Sequence, residues 1–293
     1  MMKSKYMFCR TLLPAAIFVL VLARVGLLPA EEPMRVMSFN IRYGTANDGD
    51  NHWRLRKELV VKTIKDYAPD LLGTQETIKF QADFLAANLK GYSAIGWSRE
   101  KDPDKGEQCT IFFKTDRYQK VKTGQFWLSE SPDVVASKSW DSSLPRIATW
   151  VRLRDTQNSG KEFLFVNTHF DHRGSKARHE SAKLIVRKLA KFDVENVVVT
   201  GDFNCGESSA PYQAIVGASG FSLQDSFRVK HPQQVKSKEG TFNGFRGTDS
   251  GARIDWVLHS GGFRTQSAEI NKTNLNGRYP SDHFPVTASL RFK

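Results

Sequence analysis

The chain has 293 residues, with 43 Lys and Arg against 31 Asp and Glu, and a formal net charge of +12. At roughly 100–200 residues per domain, this length allows one large domain or two small ones. A hydrophobic share of 40% with 25% charged residues excludes a disordered or fibrous chain, and three cysteines exclude a disulfide scaffold. The excess of positive charge favours a polyanionic partner, such as nucleic acid or phosphorylated material.

The first thirty residues have the pattern of an export signal. Basic Lys3, Lys5 and Arg10 precede an apolar run, Leu12 to Ala23, and a small residue, Ala30, ends the segment. We therefore predict a signal peptide over residues 1–30 and one domain over residues 31–293, in a protein that is periplasmic or secreted. An uncleaved N-terminal membrane anchor is the alternative. Removal of the segment takes away four basic residues and no acidic one, which leaves a net charge of +8.

The remaining sequence predicts one α/β domain. Seven short apolar segments bounded by Gly, Asn or Asp predict buried strands: Arg35–Ile41, Leu71–Gln75, Cys109–Phe113, Ile147–Leu153, Phe163–Thr168, Val197–Thr200 and Ile254–Leu258. Three segments with apolar residues three and four apart predict helices: Leu55–Tyr67, Phe80–Leu89 and Ala177–Leu189. A mixed sheet packed on a second sheet, with the helices outside, fits this order best.

Polar side chains recur where the predicted strands end. They are Asn40, Glu76, His169, Asp171, Asp202, Asn204, Asp255, Asp282 and His283. Singly, each has an ordinary explanation in a turn or a cap. Ligands of α/β sheets bind at the carboxyl ends of strands, so this repeated placement predicts a site there. Carboxylate and amide oxygens without a Cys or His cluster suit Mg²⁺ or Mn²⁺ better than a structural zinc.

Six short motifs carry a resemblance to a known superfamily. They are Ser38-Phe39-Asn40-Ile41-Arg42, Gln75-Glu76-Thr77, Asn167-Thr168-His169-Phe170, Gly201-Asp202-Phe203-Asn204, Arg253-Ile254-Asp255-Trp256 and Ser281-Asp282-His283-Phe284-Pro285. In this order they resemble the endonuclease/exonuclease/phosphatase superfamily, which includes exonuclease III, pancreatic deoxyribonuclease and the inositol-polyphosphate 5-phosphatases. The resemblance implies a four-layer α/β/β/α sandwich of two packed mixed sheets with outer helices. The stretch Asn40–Arg56 is similar to a group of exported bacterial proteins of unassigned substrate.

The resemblance also implies the cofactor, Mg²⁺, with Mn²⁺ as the alternative. By motif, Asn40, Glu76 and Asp282 correspond to the metal site. A hard divalent cation there would neutralise phosphate oxygens and the charge on the leaving oxygen. One metal or two is left open.

The predicted catalytic residues follow from the same motifs. Asp202 resembles the residue that orients or deprotonates the attacking water, and Asn204 the one that holds the phosphoryl oxygen. A carboxylate serves as a base if nearby negative charge and partial burial raise its pKa. His283 resembles the histidine that contacts the scissile phosphate, held by Asp255. His169 resembles the histidine of the deoxyribonuclease-like members.

Three arginines are candidate substrate ligands. Arg42 stands where some relatives place a second acidic residue, which favours phosphate contact. Arg146 and Arg178 flank the motifs, although each has a surface charge as its ordinary explanation. The matching position for a carboxylate that orients His169 is Glu107, ahead of Cys109–Phe113, but a solvated loop charge explains it equally well.

Three functions remain open at this stage. The leading one is metal-dependent hydrolysis of phosphodiesters, with nucleic acid as the expected substrate, by in-line attack of water. The second is hydrolysis of a phosphomonoester of a small molecule, such as an inositol phosphate, a sugar phosphate or a lipid head group. The third is a non-catalytic cationic module that binds nucleic acid or an anionic surface. We expect a monomer, with no stable membrane insertion once the signal is removed. A disulfide between Cys109 and Cys205 is left open.

Overall fold

Two six-stranded sheets face each other in the part of the chain from Glu31 to Lys293. The computed structural model describes residues 1–5, 7, 32–233 and 238–293. Residues Met1–Ala30 form a separate unit. The predicted export signal lies in that unit, outside the described residues except for 1–5 and 7, and stays a prediction. Within the described part of the chain, no helix has the length and apolar character needed to cross a membrane.

The first sheet has the strand order β11-β12-β1-β2-β4-β3, and the second has the order β5-β6-β7-β8-β10-β9. The strands of the first sheet are β1 (Met34–Asn40), β2 (Leu71–Thr77), β3 (Tyr92–Ile95), β4 (Gln108–Lys114), β11 (Phe263–Ile270) and β12 (Val286–Phe292). Those of the second are β5 (Tyr118–Trp127), β6 (Ile147–Asp155), β7 (Glu162–His169), β8 (Val197–Asp202), β9 (Gln224–Asp225) and β10 (Asp255–His259). In each sheet one central pair is parallel, β1 with β2 and β7 with β8.

Helices cover the outer faces of both sheets. They are α1 (Trp53–Tyr67) and α2 (Lys79–Asn88) on the first sheet, and α3 (Ser175–Leu189) and α4 (Ala210–Val216) on the second. A short helix, α5 (Ser226–Lys230), instead packs against β10 and β11, with Phe227 in the core between the sheets. The alternation of side chains along each strand explains the layering. In β1, Val36 packs between the sheets with Val198 of β8, whereas Met37 packs outward against Val60 of α1. In the second sheet, Leu164 of β7 packs outward with residues of α3 and α4. The predicted α/β/β/α sandwich is confirmed.

The seven predicted strands and three predicted helices are all present, with ends that differ by a few residues. Sequence reasoning did not define β3, β5, β9, β11 and β12. These strands are short or lie at or near a sheet edge, and Arg264 and Glu269 interrupt the apolar pattern of β11. Cys109 and Cys205 are both free thiols, which settles the open question of their pairing.

Candidate active site

The carboxyl ends of the two parallel strand pairs meet between the sheets, and most of the predicted site residues lie there. Asn40 ends β1. Its Nδ2 donates a 3.0 Å hydrogen bond to Glu76 Oε1 on β2 and a 2.9 Å hydrogen bond to Asp202 Oδ2 on β8. Because β1 and β2 belong to one sheet and β8 to the other, this amide joins the two halves of the site.

Asp202 is buried and surrounded by hydrogen-bond donors. Its Oδ1 accepts a 2.9 Å bond from the backbone N–H of Asn204. Its Oδ2 lies 3.4 Å from His169 Nε2 and 3.8 Å from His283 Nε2. Burial raises the pKa of Asp202. The two histidines and the hydrogen bonds from Asn204 and Asn40 lower it by more, so the pKa lies below its usual value. The carboxylate is therefore ionised, and its pKa is not raised as general-base chemistry would favour.

His283 is oriented by Asp255, as the resemblance implies. Its Nδ1 lies 2.8 Å from Asp255 Oδ2, and both residues are buried. Burial lowers the pKa of His283, but the charges of Asp255 and Asp202 raise it well above its usual value. Burial raises the pKa of Asp255, and the charge of Asp202 adds to that effect. With Nδ1 engaged, Nε2 of His283 faces Asp202 and the cavity.

Two further carboxylates, Glu76 and Asp282, lie beside Arg42. Arg42 Nε is 3.6 Å from Asp282 Oδ2, and Nη1 is 4.0 Å from Glu76 Oε2. Arg42 itself is held by Asp48 through hydrogen bonds of 3.0 and 2.8 Å. Burial raises the pKa of Asp282, and the nearby charge of Glu76 raises it further. Two like charges in a buried corner favour a cation beside them.

Two overlapping sets of residues are candidates for holding a divalent cation. The predicted set is Asn40, Glu76 and Asp282. The second set is Glu76, Asp202 and His283, whose ligand atoms all lie within 4.8 Å of one another. Glu76 belongs to both sets. Asn40 turns its amide nitrogen to the carboxylates and its Oδ1 to the backbone N–H of Arg42, at 3.0 Å. The carboxylate oxygens of the site suit a hard cation.

The backbone is left-handed at three residues of the site. Arg42, Glu76 and Asn204 have φ values of 61°, 56° and 51°. Asparagine tolerates this region, but for arginine and glutamate it is strained, at a cost on the order of 1–3 kcal/mol each. At Glu76 the backbone N–H of Tyr43 donates to Oε2 at 2.9 Å and fixes the turned carboxylate. At Arg42 and Glu76 the residue type gives no signal of this geometry.

Glu107 lies on the far side of His169 from Asp202. Its Oε2 is 3.7 Å from His169 Nδ1, an ion-pair distance that exceeds a hydrogen bond. Arg99 Nη1 contacts the same oxygen at 2.7 Å. Burial raises the pKa of Glu107, but His169, Arg99 and Arg146 together lower it to about 2. Glu107 is therefore part of the site and not a solvated loop charge.

The three predicted substrate-binding arginines are placed differently. Arg42 and Arg146 line the cavity, whereas Arg178 does not. Arg178 Nη1 donates to the backbone carbonyl of Asp171 at 2.9 Å, which braces the start of α3. Arg146 is 4% exposed, and its Nη2 contacts His172 Nδ1 at 2.9 Å. Its Nε and Nη1 lie near Asp171 and Glu107, at 3.5 and 3.8 Å.

A cavity of about 610 Å³ connects these residues, within the usual size range of small-molecule sites. It is lined by Arg42, Tyr43, Glu76, Glu107, Leu144, Arg146, His169, His172, Asp202, Asn204, Phe242, Gly251, Ala252, Ile254, Asp282 and His283. Sequence reasoning missed Phe242 and His172. Phe242 is 51% exposed and meets the His283 ring edge-on, 5.3 Å between centroids. It lies in a loop, where periodicity gives no signal.

The fold and the site together define a phosphoester hydrolase. The chain belongs to the Endonuclease/Exonuclease/phosphatase family, whose model matches residues 37–283. Enzymes of this family generally use divalent metals, in agreement with the carboxylate cluster at Glu76.

Solved structures and curated sequences give more specific relatives. An endonuclease/exonuclease/phosphatase from Bacteroides vulgatus is 34% identical, with a TM-score of 0.81 over 89% of this chain and 99% of that chain. A mannosyl-6-phosphatase from Bacteroides thetaiotaomicron is also 34% identical, with a TM-score of 0.79 over 88% of this chain and 100% of that chain. Nocturnin from Drosophila melanogaster is 25% identical over 228 residues, which are 70% of this chain and 34% of that protein. The chain thus spans about a third of that curated relative.

Proposed function

We propose that the protein hydrolyses the phosphate monoester of a small hydroxyl-rich molecule, such as a sugar phosphate. The observation that carries this proposal is the wall of the cavity. Among its described lining residues, two are arginines, none is a lysine, and both arginines lie beside carboxylates. A groove for nucleic acid instead offers a series of basic side chains to successive phosphates. The mannosyl-6-phosphatase that is 34% identical over nearly the whole chain supports the same substrate class.

Phosphodiester hydrolysis was the first choice from sequence, and it uses the same residues. It is the competing outcome of the experiment below. A monoester differs from a diester in that its phosphate carries a single organic group. The non-catalytic alternative does not agree with membership of a family of hydrolytic phosphoesterases.

The chain's own residues account for the proton and charge steps. Asp202 is ionised and held by Asn40 and the backbone of Asn204, so it is placed to accept a hydrogen bond from the attacking water molecule and orient it. His283 is protonated and fixed by Asp255, so its Nε2 is placed to donate to a phosphoryl oxygen. Preorganised donors of this kind stabilise the charge that develops in the transition state.

We propose Mg²⁺ as the cofactor, with Mn²⁺ as the alternative, held by Glu76 and Asp282, while Asn40, whose amide nitrogen donates to Glu76, positions that carboxylate. Glu76 and Asp282 supply carboxylate oxygens on one side of the cavity, and such oxygens are the preferred ligands of both cations. When bound, the cation supplies charge neutralisation at the phosphate and at the leaving oxygen.

We also propose that the protein is exported as a monomer after cleavage near Ala30. The basic residues and apolar run at the N-terminus support this proposal. Mass spectrometry of the protein recovered from cell fractions tests it. If the protein found outside the cytoplasm still has the mass of the uncleaved chain, the N-terminal segment is an anchor instead. Size-exclusion chromatography tests whether the protein is a monomer.

A substrate panel tests the proposed reaction. Release of phosphate from mannose 6-phosphate and inositol phosphates is compared with cleavage of bis(4-nitrophenyl) phosphate, DNA and RNA, each with Mg²⁺, Mn²⁺ or EDTA. We expect the monoesters to be hydrolysed with the larger kcat/KM and the activity to be lost in EDTA. Faster turnover of diesters would overturn the monoester proposal, and turnover that persists in EDTA would overturn the metal proposal.

Two variants and a control connect the activity to the site. Glu76→Gln and Asp202→Asn remove one charge each with little change of shape, and each should lower kcat by about 100-fold or more. Glu58→Gln removes an exposed carboxylate on α1 and should leave kcat unchanged. Equal activity of all three variants would show that the hydrolysis takes place elsewhere.

A further inference from the structure

A second cavity of about 360 Å³ adjoins the proposed active site. It is lined by Gly206, Glu207, Ser208, Glu239, Ser250, Gly251, Ala252 and Arg253. Gly251 and Ala252 also line the first cavity, so the two are contiguous. A molecule whose phosphate lies at Asp202 and His283 could extend over these two small residues into the second cavity.

The carboxylates of the second cavity are held rigidly. Arg228 donates to Glu207 Oε2 at 2.9 Å and to Glu239 Oε2 at 2.7 Å. Arg253 Nε donates to Glu207 Oε1 at 2.8 Å, and Arg253 also pairs with Asp225. Burial raises the pKa of Glu207, but Arg228 and Arg253 lower it below its usual value, so this acceptor stays ionised. Preorganised polar groups lose little entropy when they bind a ligand.

Arg253 supplies a second, independent indication of a ligand. The residue is 3% exposed and lines the cavity, yet its Nη1 has no hydrogen-bond partner in the part of the chain that the structure describes. A buried donor without a partner costs about 1–3 kcal/mol. Rotation of the guanidinium toward the cavity would let a ligand oxygen accept from this nitrogen and would recover part of that free energy.

The net negative charge around this cavity disfavours anionic ligands and allows uncharged ones. Asp225, Glu207 and Glu239 carry three formal negative charges against two positive charges on Arg228 and Arg253. An additional phosphate would be repelled by this excess of negative charge. A hydroxyl group both donates and accepts hydrogen bonds, so it matches a wall that offers carboxylates, a guanidinium and the hydroxyls of Ser208 and Ser250.

We propose that this cavity, the Glu207–Arg253 subsite, binds an uncharged sugar unit joined to the phosphorylated one. The preferred substrate is then a phosphorylated oligosaccharide, and a free sugar phosphate is a poorer one. This inference rests on the proposed phosphomonoesterase function. It also gives a reason for discrimination against nucleic acid, whose next phosphate would enter the negatively charged subsite.

The test compares two substrates that differ by one sugar unit. We measure kcat/KM for mannose 6-phosphate and for mannobiose that carries one 6-phosphate on its non-reducing unit. In the wild-type protein we expect the disaccharide to be favoured by about tenfold or more. Ser250→Tyr fills the subsite and Glu239→Gln removes a charged acceptor, so both should bring the ratio of the two values close to one. Ser219→Tyr, at an exposed serine after α4, is the control and should keep the wild-type ratio.

Binding gives a readout that does not depend on turnover. Calorimetric titration with unphosphorylated mannobiose should detect binding to the wild-type protein and weaker or no binding to Ser250→Tyr. Equal kcat/KM for both substrates in the wild-type protein, together with no mannobiose binding, would overturn the subsite while the phosphatase proposal stands. If the protein hydrolyses phosphodiesters but neither mannose 6-phosphate nor phosphorylated mannobiose, the proposed function itself is overturned.

Discussion

The side-chain amide of Asn40 donates a 2.9 Å hydrogen bond to Asp202 across the boundary between the two sheets. The same nitrogen donates to Glu76 at 3.0 Å within its own sheet. Two carboxylates that follow different strands therefore share one donor, and their separation is set by a single side chain. Glu76 belongs to the proposed cation site and Asp202 is proposed to orient the attacking water, so Asn40 fixes the geometry between them.

Replacing Asn40 should disturb activity and stability together. In Asn40→Ala, Glu76 and the buried Asp202 lose a shared donor, which should cost about 1–3 kcal/mol of unfolding free energy. We expect kcat/KM to fall by about 100-fold, because the two carboxylates repel each other and move apart. Kinetics at saturating Mg²⁺ and urea denaturation measure these two effects. Asn47→Ala, at an exposed loop position, is the control, and an Asn40→Ala enzyme as active as this control would contradict the proposed role.

The site residues at the strand ends could be predicted from the sequence, because polar side chains follow the apolar strands and the sheet topology brings these strand ends together. Asn40, Glu76, His169 and Asp202 each follow an apolar run, and parallel pairing brings such ends to one edge. Pairing of Asp255 with His283 followed from motif resemblance, and the structure has it at 2.8 Å. The order of apolar strands and helices along the chain was sufficient to predict the sandwich fold, because the pattern of apolar residues indicates which side chains of each element are buried.

Other parts of the site depend on contacts that no local pattern encodes. The left-handed φ of Glu76 is imposed by its surroundings, since glutamate has no intrinsic preference for it. Phe242 reaches the cavity through an isolated bridge with His283, 41 positions later in the chain. Arg178 looked equivalent to Arg146 in the sequence, yet it turns to a backbone carbonyl. Long-range packing decides all three placements.

The partly buried carboxylate of Glu107 makes the stability of the protein depend on pH. Its pKa in the folded protein is about 2, below its usual value of 4.5. A carboxyl group with a lowered folded pKa adds stability above its unfolded pKa and loses that contribution as the pH falls toward the folded pKa. We therefore expect the wild-type protein to lose up to about 3 kcal/mol of unfolding free energy through this group between pH 5 and pH 2.

Comparison with Glu107→Gln isolates that contribution. The stability difference between wild type and Glu107→Gln should be largest at pH 6 and should shrink steadily toward pH 3. Urea denaturation monitored by tryptophan fluorescence at several pH values gives the curve. Glu100→Gln removes a more exposed carboxylate of the same loop and should show little change with pH. A stability difference that is constant from pH 6 to pH 3 would rule out the proposed ionisation of Glu107.

Phe242 should act on substrate binding and not on the chemical step. Its ring is half exposed in the cavity and meets His283 edge-on, so it offers an apolar face to the organic part of a substrate. Phe242→Ala should raise KM about 3–10-fold and change kcat much less. Trp97→Ala removes a similarly exposed aromatic ring outside this cavity and is the control. A fall in kcat at unchanged KM would mean that Phe242 instead supports His283.

Arg56 stabilises the loops that carry the site without touching the cavity. The side chain is 1% exposed. Its guanidinium donates to the backbone carbonyls of Ile41 at 2.7 Å, Pro280 at 2.9 Å and Asn51 at 2.8 Å. These contacts connect the segment after β1 with the segment that holds Asp282. A lysine cannot reproduce the planar fork, so Arg56→Lys leaves buried carbonyls without donors.

We expect Arg56→Lys to lower the unfolding free energy by about 2–4 kcal/mol, since each unpaired buried group costs about 1–3 kcal/mol. Activity should fall as well. The Mg²⁺ concentration needed for half-maximal activity should rise more than the KM for substrate, because displacement of Asp282 acts on the proposed cation site. Arg54→Lys is the matched control, two residues earlier on the exposed face of α1, and should leave both quantities near wild type. Equal thermal stability of the Arg54→Lys and Arg56→Lys proteins would show that the buried guanidinium does not hold these loops together.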